Sequence, residues 1–500
     1  MLDLCSNCGF VAGMPFVIPS SPFERIMCTN RALLDSETER VREIVLETEN
    51  DLTQLEDQIA LLHRERDKLR RYVESHKVLL SPIRRLPPEI LSEIFLACLT
   101  PWNEMLTLAI FDVKSLPWLP GHICSQWRAV ALSSPKLWSS VVISLYQLQM
   151  DLEMAVCMVE TWLQRGAECP LFVRFLCGHR SLESHPILDA LASSSHRWQD
   201  VTFSITISLL SSLTHIRGHL PSLQRLEIQL DLEAVPDPGI FDAFEFAPCL
   251  YEVSAPHFAN LPLKLPWSQL TQYTGPIIGP ETLEVLRHAS NVVACTLYTY
   301  AFTGLHNSAP SGTVQLSQLR TLCIHSESDA GLLDGLVLPV LEDISFREHP
   351  NGGTLVSVLS LLRRSSCSLK KLHLSGGPFD DTIIRLIQET STLVEVKINF
   401  GNESIANELV ARLTNRRDER PVLVPNLGSI EFSFRVRPTR TFDHRLFVDM
   451  IESRWRLDGL HQQTDSRLQY VRLWSGPIFD QWDDTRLDDF QAEGLDVAVI

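Results

Sequence analysis

Cys124 stands two residues after His122, three before Trp127 and four before Arg128, in the stretch ICSQWRAVALSSPKLWSSVVI from Ile123 to Ile143. A nucleophilic thiol needs a cation, a helix N-terminus or a histidine to favour its ionised form. Only His122 and Arg128 are near enough in sequence to help. On a helix, Cys124 and Trp127 share a face at i, i+3. A cysteine on such a face is ordinarily a small packing group, as is the indole beside it. The stretch therefore reads as core helix or as a surface made for another protein, not as a catalytic thiol. Elsewhere, CSNC at Cys5–Cys8 is a lone CxxC, and Cys28 is the next cysteine. A zinc site needs a second pair of ligands at similar spacing, and none follows. The 16 histidines are scattered singly. Phosphate loops, dinucleotide fingerprints, GxSxG elbows and HExxH pairs are absent. The glycine pairs in NGGT (Asn351–Thr354) and SGGP (Ser375–Pro378) read as turns after strands. A chain without bond-making chemistry and without cofactors or metals is expected.

The elements that carry these residues fall into segments. Residues 1–33 mix Pro, Gly, Ser and Cys without a period and read as a flexible leader. From Leu34 to Leu80 the apolar positions step by threes and fours: Leu34, Val41, Val45, Leu52, Leu55, Ile59, Leu62, Leu69, Val73, Leu80. Thr38, Thr48, Arg66 and His76 fill the same register. This predicts a heptad seam on one long helix, ended by Pro82. The seam requires a partner, either a second copy or the chain's own next domain. Residues 82–143 read as short helices: one opening at Pro88, a second over Trp118 to Leu132 ended by Ser133–Pro135, and a short piece near Leu106–Ile110 in the loop between.

Beyond residue 143 an LxxLxL frame recurs: LQRLEI, LYEVSA, VACTL, LRTLCI, LEDISF, LKKLHL, LVEVKI, LGSIEF and LQYVRL, spread from Leu223 to Leu473. Weaker members are WQDVTF at Trp198, a strand around Phe172–Phe175, and WSSVVI at Trp138. Helical pieces lie between them, such as Thr354–Ser365 and Asp380–Thr390. A strand that cannot bury its apolar side alone does so by stacking on neighbours, so the period predicts an α/β leucine-rich-repeat solenoid over 144–480. Strands would form a parallel sheet on the concave side, with helices and loops on the convex side. Glu227, Cys323, Ser345, His373 and Lys397 occupy the x positions that would face outward from it. The acidic end, Asp480–Asp496, reads as a polar cap or a disordered tail (481–500).

Composition sets the outer limits. The 500 residues are 45% hydrophobic, with 44 basic and 61 acidic side chains and a net charge of −17. Such a chain repels phosphate backbones, so no nucleic acid is expected as a partner. Twelve cysteines without a repeating spacing do not form a disulfide framework. The N-terminus lacks a basic region ahead of an apolar core, and no apolar run is long enough to span a bilayer. Neither secretion nor a membrane is expected, which leaves cytoplasm or nucleus.

One block adds a family resemblance. Leu86-Pro87-Pro88-Glu89-Ile90-Leu91, then Ile94-Phe95, then Cys124 with Trp127-Arg128, then Leu137-Trp138 follow the order and spacing of an F-box. Ser125 and Gln126 stand where that family often carries basic residues, and the loop from about Thr100 to Leu116 is longer than in compact members. An F-box followed by irregular leucine-rich repeats is similar to the large fungal sets of F-box proteins. The resemblance implies a substrate receptor of a cullin-RING ubiquitin ligase. Its F-box would dock a Skp-type adaptor, and through it a cullin, while the repeats would hold a protein substrate. The implied adaptor surface is Leu86, Pro87, Pro88, Glu89, Ile90, Ile94, Phe95, Cys124, Trp127 and Trp138. A scaffold that self-associates through its long helix, or binds partners without ubiquitin transfer, is the other class the same features allow.

Overall fold

The computed structural model describes residues 20–99, 110–148, 150–177, 184–230, 240–256, 263–277, 280–298, 312–325, 330–347, 352–377, 379–401, 403–415, 423–434, 442–456, 467–474 and 485–499. The chain divides into two compact units, Met1–Pro87 and Pro88–Ile500. Cys5–Cys8, most of the expected leader and the predicted helix near Leu106 lie outside the described residues.

In the first unit, α1 is the single turn Glu24–Met27 and α2 is the 45-residue helix Asp35–Leu79. The start of α2 is fixed by Glu37, whose carboxylate accepts the Leu34 backbone N–H at 2.9 Å and pairs with Arg31 at 2.7 Å. This satisfies a free donor of the first turn and places negative charge at the positive end of the helix dipole. No α2 side chain is buried. Leu52, Ile59, Leu62 and Leu69 of the seam are all exposed.

The second unit begins with α3 (Pro88–Ala97), where proline occupies the first turn. Leu91 and Phe95, one turn apart, point into the core. The helix expected over 118–132 is instead two pieces, α4 (Pro120–Ile123) and α5 (Ser125–Leu132). Cys124 between them is extended, with φ −159°, and its sulfur accepts the Trp127 N–H at 3.5 Å. The thiol therefore caps α5 rather than sharing its face with Trp127. A short turn, Pro135–Trp138, delivers the chain into the sheet. Helix α6 (Leu152–Arg165) follows the first strand.

Among the described residues sixteen strands follow: β1 (Ser140–Ser144), β2 (Leu171–Leu176), β3 (Trp198–Ile205), β4 (Arg225–Leu230), β5 (Glu252–Ser254), β6 (Gln272–Pro276), β7 (Ala294–Tyr298), β8 (Val314–Gln315), β9 (Thr321–His325), β10 (Leu336–Val337), β11 (Asp343–Phe346), β12 (Lys371–Gly377), β13 (Glu395–Phe400), β14 (Ser429–Phe434), β15 (Tyr470–Trp474) and β16 (Asp496–Val499). Fourteen of them form one sheet in chain order, while β8 and β10 pair separately. Adjacent strands of the large sheet run parallel, as at β13 and β14. The leading leucine of each LxxLxL sits just before its strand and is buried, from Leu223 through Leu319, Leu369 and Leu427 to Leu468. The second and third apolar positions alternate inward along the strand, as Val396 and Ile398 do.

Helices such as Gly352–Ser365 and Thr382–Glu389 connect the strands and pack on one another in succession. Three arginines, the buried Arg197 and Arg454 and the half-buried Arg364, join neighbouring repeats. Arg197 donates to the Leu163 and Cys169 carbonyls, Arg364 to Leu333 and Leu336, and Arg454 to Leu413, Leu423 and Val424. Leu163, Leu333 and Leu413 lie at or near helix C-terminal ends, so each guanidinium satisfies free carbonyls where the dipole favours a cation.

Three sequence expectations change here. Strands β6, β8, β10 and β16 were not anticipated: Tyr273 and Gly275 replace the usual leucines in β6, β8 and β10 are two residues each, and the buried Leu495 stands one position late before β16. NGGT is not a turn after a strand: its two glycines open the helix Gly352–Ser365. In SGGP, Ser375 and Gly377 belong to β12, where the register shifts against β13. The acidic end, within the described residues, is a helix (Arg486–Ala492) and the last strand. Arg486 of that helix pairs with Asp449 and Glu452, and Asp496 pairs with Arg472.

Candidate functional site

Helix α3 carries apolar side chains on two sides. Leu91 and Phe95 are buried, whereas Ile90 is 48% and Ile94 38% exposed. Pro88 and Glu89 are exposed at the helix start, and Pro87 and the half-buried Leu86 close the preceding unit. Cys124 is exposed and Trp127 partly so. The Trp127 ring packs edge-on against Phe95 with centroids 5.1 Å apart. A 2.8 Å hydrogen bond between Ser92 and Ser134 joins α3 to the end of α5.

Two residues expected at an adaptor surface are placed otherwise. Phe95 is 4% and Trp138 1% exposed, so both are core in this structure. The Trp138 indole N–H donates to the Ala131 carbonyl at 2.9 Å. Its ring packs edge-on against Trp118 and Trp162, each with centroids 5.1 Å away. Arg165 lies over both Trp118 and Trp138, at 4.7 and 4.6 Å from the ring centres. The sequence pattern gives residue types but not their facing. The cluster needs Trp162 of the next helix, which lies outside the resembling block.

The outward face of the sheet is the second surface. Register places Thr202, Glu227, Ser254, Thr274, Thr296, Cys323, Ser345, His373, Lys397, Glu431 and Arg472 in one row across successive strands. The five outward positions read from sequence all lie in it. Cys323 and Ser345 are nevertheless nearly covered, each 9% exposed. Toward the C-terminal end the row becomes charged and its groups pair. His373, Lys397 and Lys371 approach Glu395 at 3.1, 3.0 and 3.4 Å. Lys397 also reaches Glu431, which accepts the Trp474 indole N–H at 3.0 Å. Burial raises the Glu395 carboxyl, but the hydrogen bond from Lys397 and the nearby cations outweigh it and hold its pKa below the ordinary value. Burial pushes the neighbouring Asp343 up, against the pull of His373 and Lys371. The Arg472 guanidinium stacks over Tyr470 at 4.2 Å. A cleft of about 330 Å³ between Ser345, Arg347, His373, Lys397 and Asn399 lies on this face.

No group of side chains able to hold a metal ion occurs among the described residues, and none of their helices is long and apolar enough to cross a membrane. The outward face of the sheet carries paired charges and aromatic rings, with Trp474 and Tyr470 beside Glu431 and Arg472.

The fold defines a mixed α/β repeat protein: one strand per repeat, parallel pairing in chain order, and a long helix N-terminal to the repeats. No protein-family model and no curated protein matches the chain. Among solved structures, an internalin from Listeria monocytogenes is similar over 71% of this chain and 92% of its own, at 12% identity and a TM-score of 0.28.

Proposed function

We propose that the chain is a non-catalytic substrate receptor of a Skp-cullin-F-box ubiquitin ligase. The helical block would dock a Skp-type adaptor, and the outward sheet face would hold a protein substrate. The observation that carries the reading is α3, which exposes Ile90 and Ile94 while burying Leu91 and Phe95. Apolar side chains left over after the core is filled mark a surface made to be covered. The F-box-like series around them names the kind of cover. On this reading Pro88, Glu89, Ile90, Ile94, Cys124 and Trp127 contact the adaptor, while Phe95 and Trp138 hold the block in shape. Substrate contact falls to His373, Lys397, Glu431, Arg472 and Trp474, whose paired charges select a partner of complementary pattern rather than one sign.

The test is co-purification of the full chain with a Skp-type adaptor, beside the Ile90→Asp/Ile94→Asp variant. Two exposed isoleucines at a buried interface contribute ~1.5 kcal/mol or more each, so affinity should fall on the order of 100-fold with folding intact. Equal recovery of the two proteins, or no binding by the unsubstituted chain, overturns the reading. A scaffold that never recruits a cullin is the second reading, favoured by helix α2, which buries none of its side chains. Adaptor binding without cullin capture would select it.

A further inference from the structure

We infer that α2 pairs with α2 of a second copy as a parallel, in-register two-stranded coiled coil. Leaving the seam of a 45-residue helix in water is unfavourable, and no α2 side chain is buried. In heptad terms the a positions are Thr38, Val45, Leu52, Ile59, Arg66, Val73 and Leu80. The d positions are Leu34, Val41, Thr48, Leu55, Leu62, Leu69 and His76. β-branched residues at a with leucine at d favour two parallel strands, and a single charged a residue limits the assembly to two at some cost in stability. Arg66 fills that role: its guanidinium already turns out of the seam to Asp67 at 2.9 Å.

The flanking charges choose the orientation. In a parallel pair each g residue faces the e residue five positions later on the other copy. Glu65 then meets Arg70 and Glu37 meets Arg42, each twice by symmetry, against one repulsive kind of pair, Asp51 with Glu56. An antiparallel pair with ends aligned sets Arg42 against Arg70, Asp51 against Glu65 and Glu56 against its own copy, and gains Asp35 with Lys77 and Glu49 with His63. Pairing removes roughly 60 Å² from water per apolar seam side chain. Over two helices that is on the order of 1,200 Å², the size of a specific dimer interface.

The inference does not depend on the ligase reading, and its test contains no adaptor. Sedimentation equilibrium of the full chain should give twice the 56.6 kDa chain mass. Leu55→Asp/Leu62→Asp, both on the seam, should give the single-chain mass. The same change at the exposed off-seam residues, Leu46→Asp/Leu61→Asp, should leave the dimer intact. Glu65→Lys should weaken the dimer about tenfold, and adding Arg70→Glu should restore it. Tightening by Glu65→Lys overturns the parallel arrangement, because an antiparallel pair would gain an Asp51 contact. A monomeric unsubstituted chain overturns the pairing itself. So does a monomer that loses thermal stability on Leu55→Asp/Leu62→Asp, which would place the seam against the chain's own surface.

Discussion

Replacing Trp138 by phenylalanine separates a core role from a contact role at one residue. The change keeps an aromatic ring but removes the indole N–H that donates to Ala131 at 2.9 Å. It also shrinks the ring that packs against Trp118 and Trp162 beneath Arg165. A buried carbonyl left without its donor costs about 1–3 kcal/mol, and the weakened ring and cation contacts cost about 1 kcal/mol more. The expected loss is therefore about 3 kcal/mol, felt where the helical block joins the first repeat. Because a long repeat chain need not unfold in one step, hydrogen exchange resolved along the sequence is the suitable assay. Opening of α5 and α6 should become roughly 100-fold more frequent, with distant strands such as β13 unchanged. Adaptor affinity of the folded variant should move by no more than a few-fold. Unchanged exchange with lost adaptor binding would refute the core assignment and make Trp138 a contact.

Other sites give independent checks. Asp200 is buried beside Arg225, and burial pushes its pKa up to about 6 despite that partner. The folded state thus holds the proton more tightly than the unfolded state. Stability should fall as pH rises from about 4 to 6 and level off above, by at most on the order of 3 kcal/mol. Asp200→Asn should remove that slope in denaturation curves and be the more stable protein at pH 7. Arg454→Met strands the Leu413, Leu423 and Val424 carbonyls and should cost about 4 kcal/mol, read as early melting of β14 and β15 by exchange. Ala167 follows the α6 C-cap with φ +43°, a conformation that glycine adopts without strain, so Ala167→Gly should raise stability by about 0.5–1 kcal/mol in thermal melts.

The repeat strands were legible because one short rule, a buried leucine followed by alternating inward positions, recurs with its chemistry intact. It failed where the inward residues change type, at Tyr273 and Gly275, and where the buried leucine is displaced by one position, at Leu495. The strand period alone put the outward positions in one row, although Cys323 and Ser345 within it are nearly covered. The row's ion pairs were not legible, because Glu395 meets His373 only after neighbouring strands fix their register. The buried arginines were equally invisible: Arg454 looks like any charged helix residue until the end of the preceding helix arrives beside it. At the helical block, residue types carried the resemblance, but which indole faced the core depended on Trp162, far outside the pattern.

The central claim is that the helical block, and not the sheet, meets an adaptor. A hydrogen-exchange footprint of the full chain with and without a purified Skp-type adaptor addresses it most directly. Slowed exchange in Pro88–Ala97 and Ser125–Leu132, with β9 to β15 unchanged, is the predicted result. A footprint confined to the sheet face, or none at saturating adaptor, would contradict it.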